Sequence, residues 1–194
     1  MKNIIITVII IFSFATANAQ IISTTIDIDN GISFHNSITN AYYKDVQGFM
    51  TPFVGTWLYT NGNTSFKIVL TKYSMEYTGE FYIDYIAGEY QYIESGVEIR
   101  NTLSNTDSFK RGIWDCSLLL KSTSKPLCPT CSSSERRLAG AISDLDWDTH
   151  GSITFKLITV GGQPAIEAYI WGDVFNDLHH EMATPTGTFT FIKQ

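Results

Sequence analysis

Asn61-Gly62 stands between two runs that can only be strands, residues 53–60 (Phe-Val-Gly-Thr-Trp-Leu-Tyr-Thr) and residues 64–72 (Thr-Ser-Phe-Lys-Ile-Val-Leu-Thr-Lys). β-branched and aromatic side chains fill both runs, and Asn-Gly accepts the positive φ values that a tight hairpin demands. In the second run Phe66, Ile68 and Leu70 share one face, while Lys67, Val69 and Thr71 share the other. Period-two alternation of this kind describes an antiparallel strand with one side in a core and one side wet.

Most of the chain repeats that pattern. Residues 81–93 alternate with Ile86, Tyr90 and Tyr92 on one face, and Gly88 in their midst predicts a bulge or a sharp bend. Ser95-Gly96 turns this run into a strand over 97–102, and further strands are predicted over 113–120, 138–143, 152–159, 165–171 and 188–192. Gly161-Gly162 joins two of them, with Ile153, Phe155 and Leu157 forming one apolar face and Ile166, Ala168 and Ile170 its counterpart. Upstream, residues 25–29 read as a short strand, and Asn40 caps a helical turn through Ala41, Tyr42, Tyr43 and Lys44. Eight to ten strands without a helix of any length predict an all-β protein, a small antiparallel up-and-down barrel. Closure removes the edges that such hydrophobic strands would otherwise expose.

Met1-Lys2-Asn3, an apolar stretch over 4–14 and Ala17-Asn18-Ala19 have the charged, apolar and small-residue parts of a secretory signal. The expected organisation is a signal peptide over 1–19, a lead-in segment over 20–48 and a barrel domain over 49–194, exported to the periplasm or beyond. The apolar stretch is too short for a membrane span. Net charge is −6, from 13 Lys and Arg against 19 Asp and Glu. That balance argues against nucleic acid and anionic membranes as partners.

Candidate chemistry is sparse. Cys116, Cys128 and Cys131 allow one disulfide and one free thiol; the Cys-Pro-Thr-Cys pair lies in a Ser- and Pro-rich loop and reads as a staple rather than a redox centre. Asp144, Asp146 and Asp148 alternate like cation ligands, but the positions a calcium loop reserves for Gly and Glu hold Thr149 and Phe155, so they read as a solvated acidic hairpin. His179-His180-Glu181 lacks zinc-protease spacing and reads as a surface turn, so no metal and no cofactor is expected. No nucleophile elbow is present, which leaves no catalytic residue to name and argues against an enzyme. The aromatics Tyr82, Tyr85, Tyr90, Tyr92, Trp114, Tyr169 and Trp171 suit either a cavity lining or a sugar-stacking surface, with Tyr85 turned outward and Tyr169 towards a lumen.

Phe53-Val54-Gly55-Thr56-Trp57 resembles the Phe-x-Gly-x-Trp opening of the first barrel strand in the calycins, the lipocalins and intracellular fatty-acid-binding proteins. The resemblance implies a barrel floor built on Gly55 and Trp57, a helical turn before it, and an arginine near the last strand covering the tryptophan. Residues 188–193 carry no arginine and end in Lys193, and the Arg-x-Tyr pair that holds a fatty-acid carboxylate is missing. A longer stretch is similar to a family of small exported bacterial proteins of unknown function. That likeness runs from Tyr43-Lys44-Asp45 and Pro52 to Trp57, through Gly88-Glu89-Tyr90-Gln91-Tyr92, to residues 158–167.

Together these readings give an exported lipocalin-like barrel with a small apolar or amphipathic ligand in its mouth, lined by Phe66, Ile68, Leu70, Phe155, Leu157 and Tyr169. The alternative is a solid-cored surface interaction protein without a small-molecule ligand, and the third is an uncharacterised enzyme.

Overall fold

The computed structural model describes residues 22–30, 36–107, 110–120, 132, 134–144, 149–174 and 182–194. Eleven strands run through these residues. In chain order they are β1 (Thr24–Asp27), β2 (Ala41–Lys44), β3 (Gly55–Asn61), β4 (Thr64–Tyr77), β5 (Tyr82–Glu94), β6 (Val97–Asn101), β7 (Ile113–Leu120), β8 (Arg137–Asp144), β9 (Thr149–Val160), β10 (Gln163–Val174) and β11 (Gly187–Lys193). Among the described residues 3-10 turns run over Ile28–Asn30 and Thr51–Phe53.

Eight strands close into an antiparallel barrel in the order β5-β4-β3-β11-β10-β9-β8-β7, with β7 pairing back onto β5. The last strand meets the first through Ile192↔Leu58 and Lys193↔Trp57, and Ile86↔Cys116 joins β5 to β7. β5 is the hub of the sheet. One of its edges pairs with β4 over nearly its whole length, and the other is divided among β2 at Tyr82 and Ile83, β7 at Ile86 and Gly88, and β6 from Gln91 to Glu94. β6 and β7 therefore lie along the same edge of β5, with a break between Asn101 and Ile113. Thr102 holds the break together: its amide donates to the Tyr90 carbonyl at 2.7 Å, and its hydroxyl accepts from the Tyr90 amide at 2.9 Å.

The hairpins follow the turn chemistry. Ser95 and Gly96 have φ of 52° and 83°, and Gly161 and Gly162 have 57° and 82°, so both loops carry two left-handed residues. The first hairpin differs by one position. Asn61 pairs with Thr64, so the loop is Gly62-Asn63, and only Gly62 is left-handed, at 57°. A glycine in the first central position supplies the single positive φ that this loop needs. At Gly88 the β4 and β5 backbones approach so closely that a Cβ would stand 2.3 Å from the Val69 carbonyl oxygen. The bulge expected there falls on the other side of β5, where the pairing with β7 shifts register between Ile86 and Gly88, and a second one lies between Tyr73 and Glu76 on the β4 side.

The helical turn expected over Asn40 to Lys44 is a strand instead. Asn40 has φ of 59°, which suits a bend and not the extended N-cap conformation. Beyond it, Ala41 and Tyr43 face the core and Tyr42 faces Asp84, the alternation of a strand. So short a segment gains more by pairing with β5 than by a lone helical turn, whose nucleation is costly. β2 runs parallel to both β1 and β5, which ties residues of the lead-in into the same sheet as the barrel.

Candidate functional site

The barrel interior comes first, because the expected ligand site lies there. Phe66, Ile68, Leu70 and Phe155 are inward and 0 to 1% exposed, as are Trp57, Ile86, Tyr90, Ile142, Ile153, Ile166, Ile170 and Phe191. A residue lining a space that admits even one water keeps some accessible surface, and these keep essentially none. Phe66 shows what fills the lumen. Its ring lies 5.3 Å from Phe191, 5.4 Å from Tyr92, 5.7 Å from Tyr90 and 5.8 Å from Phe189, contacts that reach past β3 to β11. Edge-to-face packing at these separations favours aromatic rings.

Two residues expected in the lumen are not there. Leu157 lies on a part of β9 beyond the last β8 pair, Arg137↔Lys156, so it lacks a neighbour on that side and is 36% exposed. Tyr169 points outward, because Ala168 and Ile170 on either side of it are the inward, fully buried ones. Its ring stacks on Trp171 at 5.0 Å.

The two ends of the barrel are packed by different groups. At the end where β3 begins, Trp57 is fully buried, its indole N–H donating to the Phe53 carbonyl at 2.8 Å. Gly55, at φ 134°, brings the backbone within 3.1 Å of Lys193 Cε, measured from where a Cβ would sit. The Lys193 ammonium stands 5.1 Å from the centre of the Trp57 ring. A lysine on the last strand thus lies over the Trp57 ring, and a cation over the ring face is attractive.

Beside this floor lies an ionic cluster that sequence reasoning missed. Lys72 Nζ is 2.8 Å from Asp45 Oδ2 and 3.6 Å from Asp84 Oδ2, and the carboxylate side chains are only 1% and 3% exposed. Asp45 also accepts from the amides of Phe49 and Met50, and Asp84 from the amides of Asp45 and Met75 and from the Tyr42 hydroxyl at 2.6 Å. The cluster therefore fastens residues 45–50 onto the barrel end. A signal did exist: Lys72 follows Leu70 on the inward parity of β4, and Asp84 precedes Ile86 on that of β5. Burial, then the hydrogen bond and charge of Asp84, push the Tyr42 phenol well above the usual tyrosine range. At the opposite end Tyr92 is pushed up to about 12 by burial and by its hydrogen bond to Glu94.

At that opposite end Met182 and Thr184 are buried against the barrel. The Tyr90 hydroxyl reaches the Ser143 carbonyl at 2.9 Å and Thr184 Oγ1 at 2.8 Å, while Asp144 accepts from Arg100 Nε at 2.6 Å and from the Ala183 amide at 3.3 Å.

The outer surface offers what the interior does not. The pairings Trp114↔Ala141, Ala141↔Ser152 and Ser152↔Trp171 set four residues in one row across β7, β8, β9 and β10. Trp114 is 40% exposed, and its indole N–H donates to Ser143 Oγ at 2.7 Å, so the ring is both open and fixed.

Cys116 is fully buried, with its sulfur where a side chain on Gly140 would have to go. Burial, with the Asp115 charge adding to it, pushes its thiol far above the ordinary range. Native protein is expected to leave Cys116 unmodified by iodoacetamide at pH 8 and to label it fully in denaturant, read by peptide mass spectrometry. Labelling of the folded chain at the rate of a free thiol would contradict this burial. The Cys128 and Cys131 pair, Asp146 and Asp148 of the acidic hairpin, and His179-His180-Glu181 lie outside the described residues. Among the described residues no three His, Cys, Asp or Glu side chains gather as a metal site would require.

No curated protein and no solved structure matches the chain. A family model does, over residues 1–190, and the chain belongs to that family, a family of unknown function (DUF6705).

Proposed function

We propose that this is an exported, lipocalin-like barrel that is solid inside and acts through its outer surface, as an interaction module rather than a carrier of an enclosed ligand. The observation that carries the reading is the near-complete burial of Trp57, Phe66, Ile68, Leu70, Ile86, Tyr90, Phe155 and Phe191, while the inward Tyr59 and Phe189 keep part of their surface at one end. The buried carboxylates fit no enzyme role better than a structural one, since every contact described for Asp45 and Asp84 goes to Lys72, Tyr42 or a backbone amide. Export rests on the charged, apolar and small-residue regions of residues 1–19.

Two measurements test it. A fluorescent apolar probe is expected to show no saturable binding, and a native mass spectrum is expected to show the bare chain; a stoichiometric lipid in that spectrum would restore the carrier reading. N-terminal sequencing of the protein collected outside the cytoplasm is expected to begin at Gln20, and an intact Met1 on that material would remove export.

A further inference from the structure

The outer row of β7 to β10 has features that a passive sheet surface does not need. We propose that Trp114 and Trp171, with Tyr169 beside the latter, form a stacking platform for a neutral, hydroxyl-rich polysaccharide; the proposal rests on the solid-core reading, because it places binding on the outside.

Both tryptophans stand immediately before a break in strand register. On β7 the break falls between Trp114 and Leu118, and Asp115 takes a φ of 53°; on β10 it falls between Trp171 and Val174, and Gly172 takes 76°. Bulges re-aim the side chains next to them and gather near functional sites. Two such breaks flanking one row, each next to a tryptophan, point to the direction of those rings as what is being set. The hydrogen bond from Trp114 to Ser143 then fixes one ring, and the residue stays 40% exposed.

Between the tryptophans the row itself holds Ala141 and Ser152, and in the next row on the same face His150 lies against Trp114, with ring centres 6.3 Å apart. Three strand-to-strand steps separate the two rings by about 14 Å. That span is too wide for one sugar ring and suits a short stretch of a chain. The second ring is held in place by Tyr169, stacked on Trp171 at 5.0 Å with 20° between planes. On the same face, in register with Tyr169, Thr154 keeps a buried hydroxyl without a hydrogen-bond partner.

Charge selects the occupant. The four residues of the row carry none, and the ionic side chains Arg137, Lys156 and Glu167 lie in a register row further along the same strands. Nucleic acid and acidic glycans would meet a chain of net charge −6 with no cation in the row. Pyranose rings offer apolar C–H faces to stack on indoles and hydroxyls for Ser143 and Ser152, which matches both kinds of group present.

The test is affinity electrophoresis of the secreted chain through gels containing a β-glucan, a xylan or a mannan, with alginate as the anionic control. At least one neutral polysaccharide is expected to slow migration, and alginate is not. Trp114→Ala and Trp171→Ala are each expected to weaken that retardation about tenfold, while Trp171→Tyr keeps most of it and thermal unfolding stays within a few degrees of the parent. Should either alanine variant misfold, quenching of the parent's tryptophan fluorescence by the same polysaccharide reads the same contact. Migration unchanged in all three neutral gels overturns the platform, and so does retardation that survives both alanine substitutions. Sedimentation showing a dimer that these substitutions dissociate overturns it too, and assigns the face to a second copy of the chain. A lipid found inside the barrel would defeat the solid-core reading and leave the electrophoresis result to stand or fall alone.

Discussion

Trp57→Ala is expected to cost about 3–5 kcal/mol of folding stability and to lower the midpoint of thermal unfolding by about 10 °C or more. The indole is fully buried at one end of the barrel, and its removal leaves a cavity that strands paired on both sides cannot close. Two further contacts go with it, the hydrogen bond to the Phe53 carbonyl and the contact with the Lys193 ammonium. Trp57→Phe keeps an aromatic ring but no donor and is expected to lose less than half as much. Circular dichroism melts of the three proteins check both statements. An alanine variant that melts within 2–3 °C of the parent would mean that this end is loosely packed, contrary to its zero exposure.

Lys72→Met is expected to cost a comparable amount, about 3–5 kcal/mol, because it strands two nearly fully buried carboxylates without their cation. Asp45 and Asp84 would then rely on the amides of Phe49, Met50, Asp45 and Met75 and on the Tyr42 hydroxyl. Those dipoles soften the loss but do not cancel a charge. Adding Asp45→Asn to Lys72→Met is expected to recover part of the stability, since it removes one stranded charge and keeps an acceptor for the same amides. A double-mutant cycle by urea denaturation measures this, and strictly additive effects would show that the ammonium and the carboxylate are not energetically coupled. Protection of the amides of Phe49 and Met50 from hydrogen exchange should fall in Lys72→Met, because their acceptor is then less firmly held.

The barrel was legible because a half-buried strand writes itself into sequence. Phe66, Ile68 and Leu70 on one strand, and Ile153 and Phe155 on another, alternate as the pleat does, and the structure buries each of them. Local chemistry also located the turns at Ser95-Gly96 and Gly161-Gly162, where two successive residues take positive φ. It failed where local preference and long-range pairing compete. Residues 41–44 could begin a helix or join a sheet, and only the free edge of β5 decided for the sheet. Leu157 has the right parity for the core and misses it because β8 stops one pair short. Tyr169 was given a lumen that Phe66 and its neighbouring rings already fill.

Sequence by itself determined that the chain makes strands, which faces of them are apolar, where several of the tight turns fall, and that Gly55 and Trp57 open the first barrel strand. These are properties of neighbours along the chain, where side-chain parity and backbone φ are set by a few residues at a time. Tertiary structure decided that Phe66 and the inward rings around it are buried against one another, that Lys72 holds two aspartates at one end, and that Trp114 and Trp171 share a row. Whether a cavity remains depends on the summed volume of side chains contributed by eight strands. Which residues form a row depends on register across strands far apart in sequence, and no local pattern records either quantity.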